Sequence, residues 1–325
     1  MPLVVATDRE VVLIDAERGS SIPARGITDR PTCLAADPLV HGRVWCGTHR
    51  GGVFRSDDAG ASWRSVGLER QLLMALAASP SERDLLWAGT EPSAVWRSAD
   101  AGDTWEPTSR LEALPSSPEW SFPPRPGTHH VRWIACHPRD PARLWVAVEA
   151  GALVSTTDGG HTWRDRVPGG PYDTHELAIH HTSPDTLRVA AGDGYFESGD
   201  SGVTWRSPSM GLDVGYLRSV AIDPERPDVL VVSASSGPHS AYLAGRSDGR
   251  LYRRISDEPW ERVRDGWPEP ATTIAPLLCA GTRAGELWAA DERGIHQSDD
   301  GGRIWRRMAA YPTPPQHLRG LAVMR

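Results

Sequence analysis

Ser56-Asp57-Asp58-Ala59-Gly60-Ala61-Ser62-Trp63 decides the fold, because the chain repeats it four more times. The pattern Ser/Thr-x-Asp-x-Gly-x-[Ser/Thr/Ile]-Trp returns at residues 98–105, 156–163, 198–205 and 298–305, around Asp100, Asp158, Asp200 and Asp300. A motif recurring in this way marks stacked, equivalent units. Its chemistry is that of a tight turn. An Asp carboxylate accepts hydrogen bonds from nearby amides, the hydroxyl residues bond locally, and Gly supplies a backbone angle that other residues resist. The Trp opens the next strand and buries a large ring between neighbouring sheets. A feature shared by so many units answers a common packing need, so Asp58 and Asp158 read as structural rather than catalytic.

Working outward, each unit reads as four short strands separated by turn residues. In the first complete unit they cover residues 32–38, 43–48, 52–56 and 62–66. Further units begin near Gln71, His130, Asp173, Tyr216 and Ala271; the one at Tyr216 lacks the turn motif but keeps a fourth strand at Trp260-Glu261-Arg262-Val263. Residues 317–323 then read as a first strand with nothing after it, and residues 3–6, 11–14 and 21–23 supply the missing three. The expected fold is therefore all-β, a seven-bladed β-propeller of four-stranded antiparallel blades. It forms a single domain over residues 1–325, with one blade shared by about 1–28 and 316–325. The C-terminal strand joins the N-terminal strands, closing the ring and removing its open edge.

The repeated turns resemble those of Asp-box (BNR) repeat propellers, over essentially the whole chain. That superfamily contains sialidases, some other glycosidases, sortilin-type receptors and photosystem II assembly propellers. The resemblance is specific for fold and much less so for function.

Composition narrows the chemistry. The chain has no lysine; all 35 basic residues are arginine, which excludes Schiff-base catalysis and phosphate-binding P-loops. The net charge of −7 argues against general nucleic-acid binding. Cys33, Cys46, Cys136 and Cys279 lack paired metal-ligand spacing and read as buried free thiols. No leader or apolar run of membrane-spanning length is evident. The expectation is a soluble, cytoplasmic monomer with no membrane or nucleic-acid partner.

First strands of a propeller line its channel, and two insertions, about 107–128 and 233–249, fall on the face opposite the repeated turns. Insertions gathered on one face mark a binding face. Aligned first strands give a row of Thr32, Met74, Arg132, His175, Arg218, Thr272 and Arg319, preceded two residues earlier by a row that includes His130, Asp173, Tyr216 and His317. Strand alternation points both rows the same way. Loops between second and third strands add Asp8, His49, Glu91, Glu149, Asp193 and Asp291. Ion pairs between these carboxylates and the ring arginines would need no function of their own.

Three functions fit this mouth. In a recognition scaffold Arg132, Arg218, Arg319 and His175 grip an anionic small molecule or a client protein or peptide, flanked by Trp120 and Trp267; the assembly propellers offer the analogy. In a sialidase-like glycoside hydrolase the arginines form a carboxylate clamp, and Tyr216 with Glu149 or Asp173 imitates a Tyr/carboxylate nucleophile pair. The Phe/Tyr-Arg-Ile-Pro signature of sialidases is absent, however; Ser21-Ile22-Pro23-Ala24 does not match it. In a metal-dependent enzyme His130, His175 and His317, with Asp173 or Glu149, hold a divalent metal on the axis. The scaffold leads.

Overall fold

The computed structural model describes residues 2–324. Its sheets surround one axis, and the first strand of each touches the first strand of the next. These inner strands are Pro31–Ala36, Leu72–Ala78, Val131–Cys136, Thr174–His180, Tyr216–Ile222, Leu277–Ala280 and Leu318–Val323. The last pairs antiparallel with Pro2–Thr7, in the register Leu3 opposite Val323 and Val5 opposite Leu321. The ring therefore closes with seven blades, as the sequence implies.

Five blades have four strands. The two built on Val131–Cys136 and Thr174–His180 have three, and their outermost segments survive as single bridges, Ser155 with Arg164 and Glu197 with Arg206.

The repeated turn works as its residues suggest. Asp58 accepts hydrogen bonds from the Ser56 hydroxyl (2.7 Å), the Ser62 N–H (2.8 Å) and the Ser62 hydroxyl (2.5 Å), while the Gly60 N–H donates to Ser56 (2.8 Å). Gly60 takes φ +85°, the left-handed region that glycine tolerates. Each turn is tied to the first hairpin of its own blade, as in Ala59 N–H to Gly42 O and Ala101 N–H to Asp84 O. Ser256 N–H to Asp228 O keeps that tie in the blade that lacks the motif.

Between blades, the buried Trp45 and Trp145 indoles donate to Ala101 O (2.9 Å) and Ser201 O (3.2 Å) in the turn of the next blade. Among the described residues the apolar core falls into seven clusters, each shared by two neighbouring blades. Stability is thus distributed around the ring, leaving the axial ends to carry polar groups.

Candidate functional site

Six of the seven inner strands share one irregularity. An extra residue interrupts their pairing, and that residue is Thr32, Met74, Arg132, His175, Arg218 or Arg319. A bulge leaves its extra residue outside the ladder and re-aims the side chain. The row picked out by alternation is in fact a row of bulges. Thr272 does not belong to it. This residue ends the 3-10 turn Pro270–Thr272, and the inner strand runs Leu277–Ala280, with Leu278 facing Ala289 as Leu34 faces Cys46. Two residues before Leu278 stands Pro276, which carries no polar group to the axis.

Arg132, Arg218 and Arg319 converge on one narrow axial cavity of about 60 Å³, lined also by Met74, His175 and Glu176. Their situations differ. Arg218 is 2% exposed and acts as a clamp between blades. Its guanidinium donates to Ala275 O (2.6 Å) and Leu318 O (3.1 Å) and lies 4.6 Å from the centre of the Tyr242 ring. Burial draws it down to about 10, and the charges of Arg132 and Arg319 act in the same sense against Tyr242. Arg132 has its Nε 3.4 Å from Glu149 Oε2. Arg319 is exposed and has no hydrogen bond or ion pair among the described residues.

Beside the arginines lies a cluster of acids and imidazoles. His130 Nε2 is 2.8 Å from Glu149 Oε2. His175, 1% exposed, has Nδ1 2.5 Å from Leu217 O, and its Nε2 faces Asp173 Oδ2 (3.6 Å), Glu149 Oε1 (4.0 Å) and the Tyr216 hydroxyl (3.3 Å). Burial would raise the Glu149 carboxyl, but Arg132, His130 and His175 outweigh it and hold the group at about 2. Burial lowers the His175 imidazole, and Tyr242, Asp173 and Glu149 overcome this, pushing it up to about 9.

Of the expected metal ligands, only His175 lies in a group of three convergent donors, and its partners there are Glu149 and Asp173. His130 supports Glu149 from outside that group. His317 stands apart, its backbone paired with Asp8. The catalytic candidates Tyr216, Glu149 and Asp173 do meet, through His175.

Trp120 and Trp267 do not flank the mouth. Trp120 is buried beneath the first insertion, its indole donating to Ser116 Oγ (2.9 Å), and Trp267 packs edge-on against Trp305 in a blade core. Their rings fill volume rather than offer a surface. The insertions reach the mouth through other residues: Phe122 lies edge-on to His130, and the short helix Pro238–Tyr242 sets Tyr242 over Arg218. Tyr242 was not legible as a site residue, although it is the one Tyr of its insertion. Nor was Glu176, which adjoins the His175 bulge and accepts the Ser219 hydroxyl at 2.5 Å. Burial pushes its carboxyl up to about 8 despite Ser219, Arg132 and Arg218.

No protein-family model matches the sequence, and no match was found among curated proteins. Solved structures do match. A GH74 enzyme from Niastella koreensis superposes with a TM-score of 0.74 at 16% identity, over 94% of this chain and 51% of that one. A GH74 xyloglucanase from Xanthomonas campestris gives 0.74 at 16%, over 95% and 52%. The chain thus spans about half the length of these GH74 proteins. YCF48 from Cyanidioschyzon merolae gives 0.60 at 14%, over 87% and 86%, and a structure of YCF48 bound to a peptide gives 0.58 at 18%, over 86% and 83%. At these identities the likeness is one of fold: the chain is a seven-bladed β-propeller whose structural neighbours include GH74 enzymes and YCF48.

Proposed function

We propose that this propeller is a recognition scaffold that receives a carboxylate, such as the C-terminus of a client peptide, at its arginine-lined mouth. The observation that carries the reading is the state of Arg319: exposed, free of protein partners, and sharing a cavity with Arg132 and Arg218. A planar guanidinium of this kind matches a carboxylate with two parallel hydrogen bonds. Arg218 supplies positive charge from behind while its hydrogen bonds stay within the protein. The peptide-bound YCF48 structure supports a protein client on this fold.

The glycosidase reading has less support. A glycosidase needs a carboxylic acid kept protonated beside the scissile bond. Glu149 is held ionised, and the raised Glu176 opens on a cavity of about 60 Å³, room for a water or two rather than a sugar ring.

The test is a peptide library with free C-terminal carboxylates, compared with the same peptides amidated. Binding of acids over amides, reduced at least about tenfold in Arg319→Ala, supports the scaffold. Binding indifferent both to amidation and to Arg319→Ala refutes it.

A further inference from the structure

The geometry points to a divalent transition-metal site formed by Glu149, Asp173 and His175 at the channel mouth. This goes beyond anion recognition and does not depend on it.

Each of the three donors has its outer atom tied to the protein and its inner atom turned toward the others. For Glu149, Oε2 is hydrogen-bonded to His130 Nε2 at 2.8 Å, with Arg132 Nε at ion-pair distance, 3.4 Å, which leaves Oε1 facing His175. For Asp173, Oδ1 accepts the Ala150 N–H at 3.0 Å and Oδ2 faces His175. For His175, Nδ1 meets Leu217 O, which can only accept, so Nδ1 carries a hydrogen and Nε2 is the nitrogen turned toward the carboxylates, where a bound cation takes the place of a proton. Metal-bound imidazoles and carboxylates are held in this manner, by outer hydrogen bonds that fix ring orientation and raise ligand basicity.

Two carboxylate oxygens and the imidazole Nε2 lie within 4.8 Å of one another around a histidine that is 1% exposed. The Tyr216 hydroxyl, 3.3 Å from Nε2, can offer a hydrogen to only one of them. A cation satisfies all three at once. Bonds of about 2.0–2.2 Å to nitrogen and oxygen fit donors at these separations once the carboxylates draw in slightly. Two carboxylates balance a 2+ charge. One nitrogen and two oxygens suit Mn²⁺, Fe²⁺ or Zn²⁺ better than the all-oxygen preference of Ca²⁺ or Mg²⁺.

The backbone is shaped to the same end. A Cβ on Gly192 would come within 2.0 Å of Asp173 Oδ2, so only glycine there leaves the carboxylate in place. His175 is the bulge residue of its strand, and Asp173 precedes that strand directly.

The experiment uses the full chain without an affinity tag, freed of metal with a chelator. Mn²⁺ is titrated by electron paramagnetic resonance and Zn²⁺ by calorimetry. One ion per chain is expected. Asp173→Asn and Gly192→Ala should each weaken binding at least about tenfold, and His130→Gln by about 10–100-fold through loosening of Glu149. Arg319→Ala should bind metal as the wild type does, so that loss of carboxylate binding and loss of metal binding are separate results. The visible spectrum of the Co²⁺-loaded wild type, with nitrogen and oxygen coordination, gives a readout that needs no variant. No saturable uptake of Mn²⁺ or Zn²⁺ by the wild type overturns the proposal. So does wild-type affinity in both Asp173→Asn and Gly192→Ala.

Discussion

Glu176→Gln should make the protein more stable at neutral pH, by an amount set by the folded-state titration of one carboxyl. Glu176 is 8% exposed and lines the axial cavity together with Arg132 and Arg218, yet burial carries its carboxyl from 4.5 to about 8. Below pH 4.5 the group is protonated whether the chain is folded or not. Between 4.5 and 8 the unfolded chain releases the proton and the folded protein keeps it. Stability from this group is therefore fully present below pH 4.5 and is lost as pH rises through 8. At pH 7 the loss is about 2.5 pH steps of about 1.4 kcal/mol each, or roughly 3.5 kcal/mol as an upper limit. A glutamine keeps the shape without the titration. Urea unfolding of the chelator-treated wild type and variant at pH 4.5, 6, 7 and 8 reads the difference. It should start near zero and grow in favour of the variant. An offset that stays constant over that range, or a variant that loses stability as the wild type does, would refute the assignment of a neutral Glu176.

Three further outcomes follow from the same geometry. Arg218→Ala should cost about 3 kcal/mol, because its charge-assisted hydrogen bonds to Ala275 O and Leu318 O join separate blades, whereas Arg319→Ala should change stability by less than about 0.5 kcal/mol; thermal melts of the two variants separate clamp from reader. Asp58→Ala should cost about 1 kcal/mol, small because the turn is exposed, and should leave carboxylate binding untouched in the peptide assay. Burial would raise the Tyr242 phenol, but His175 and then Arg132 and Arg218 bring it below its ordinary value of 10, so tyrosinate absorbance should show an early transition that Tyr242→Phe removes.

The blade count was legible because it rests on periodic chemistry. Turn motif, its closing Trp and inner strand recur together, and the two terminal half-units complement each other. The six ring positions could be found for the same reason. Their bulges could not, since an extra residue is a property of strand pairing and not of any one strand. That gap also explains the Thr272 error. Ile274 and Leu278 are both apolar, and only pairing with Ala289 shows that Leu278, not Ile274, stands where Leu34 stands in its blade. The sequence marks Trp120 and Trp267 as rings flanking a ligand, but a large ring in a loop can fill a core as readily as face a ligand. Tyr242 escaped because the backbone path of residues 233–249, which alone brings it to Arg218, leaves no periodic trace.

The inner-strand bulges also bear on how such a molecule changes over time. A residue outside the ladder can be exchanged without breaking any sheet pairing, and six of them encircle one axis at equivalent positions. Threonine, methionine, histidine and arginine already share that circle. Where such a side chain does not also join blades, as Arg218 does, it can change while the sheets beneath stay as they are.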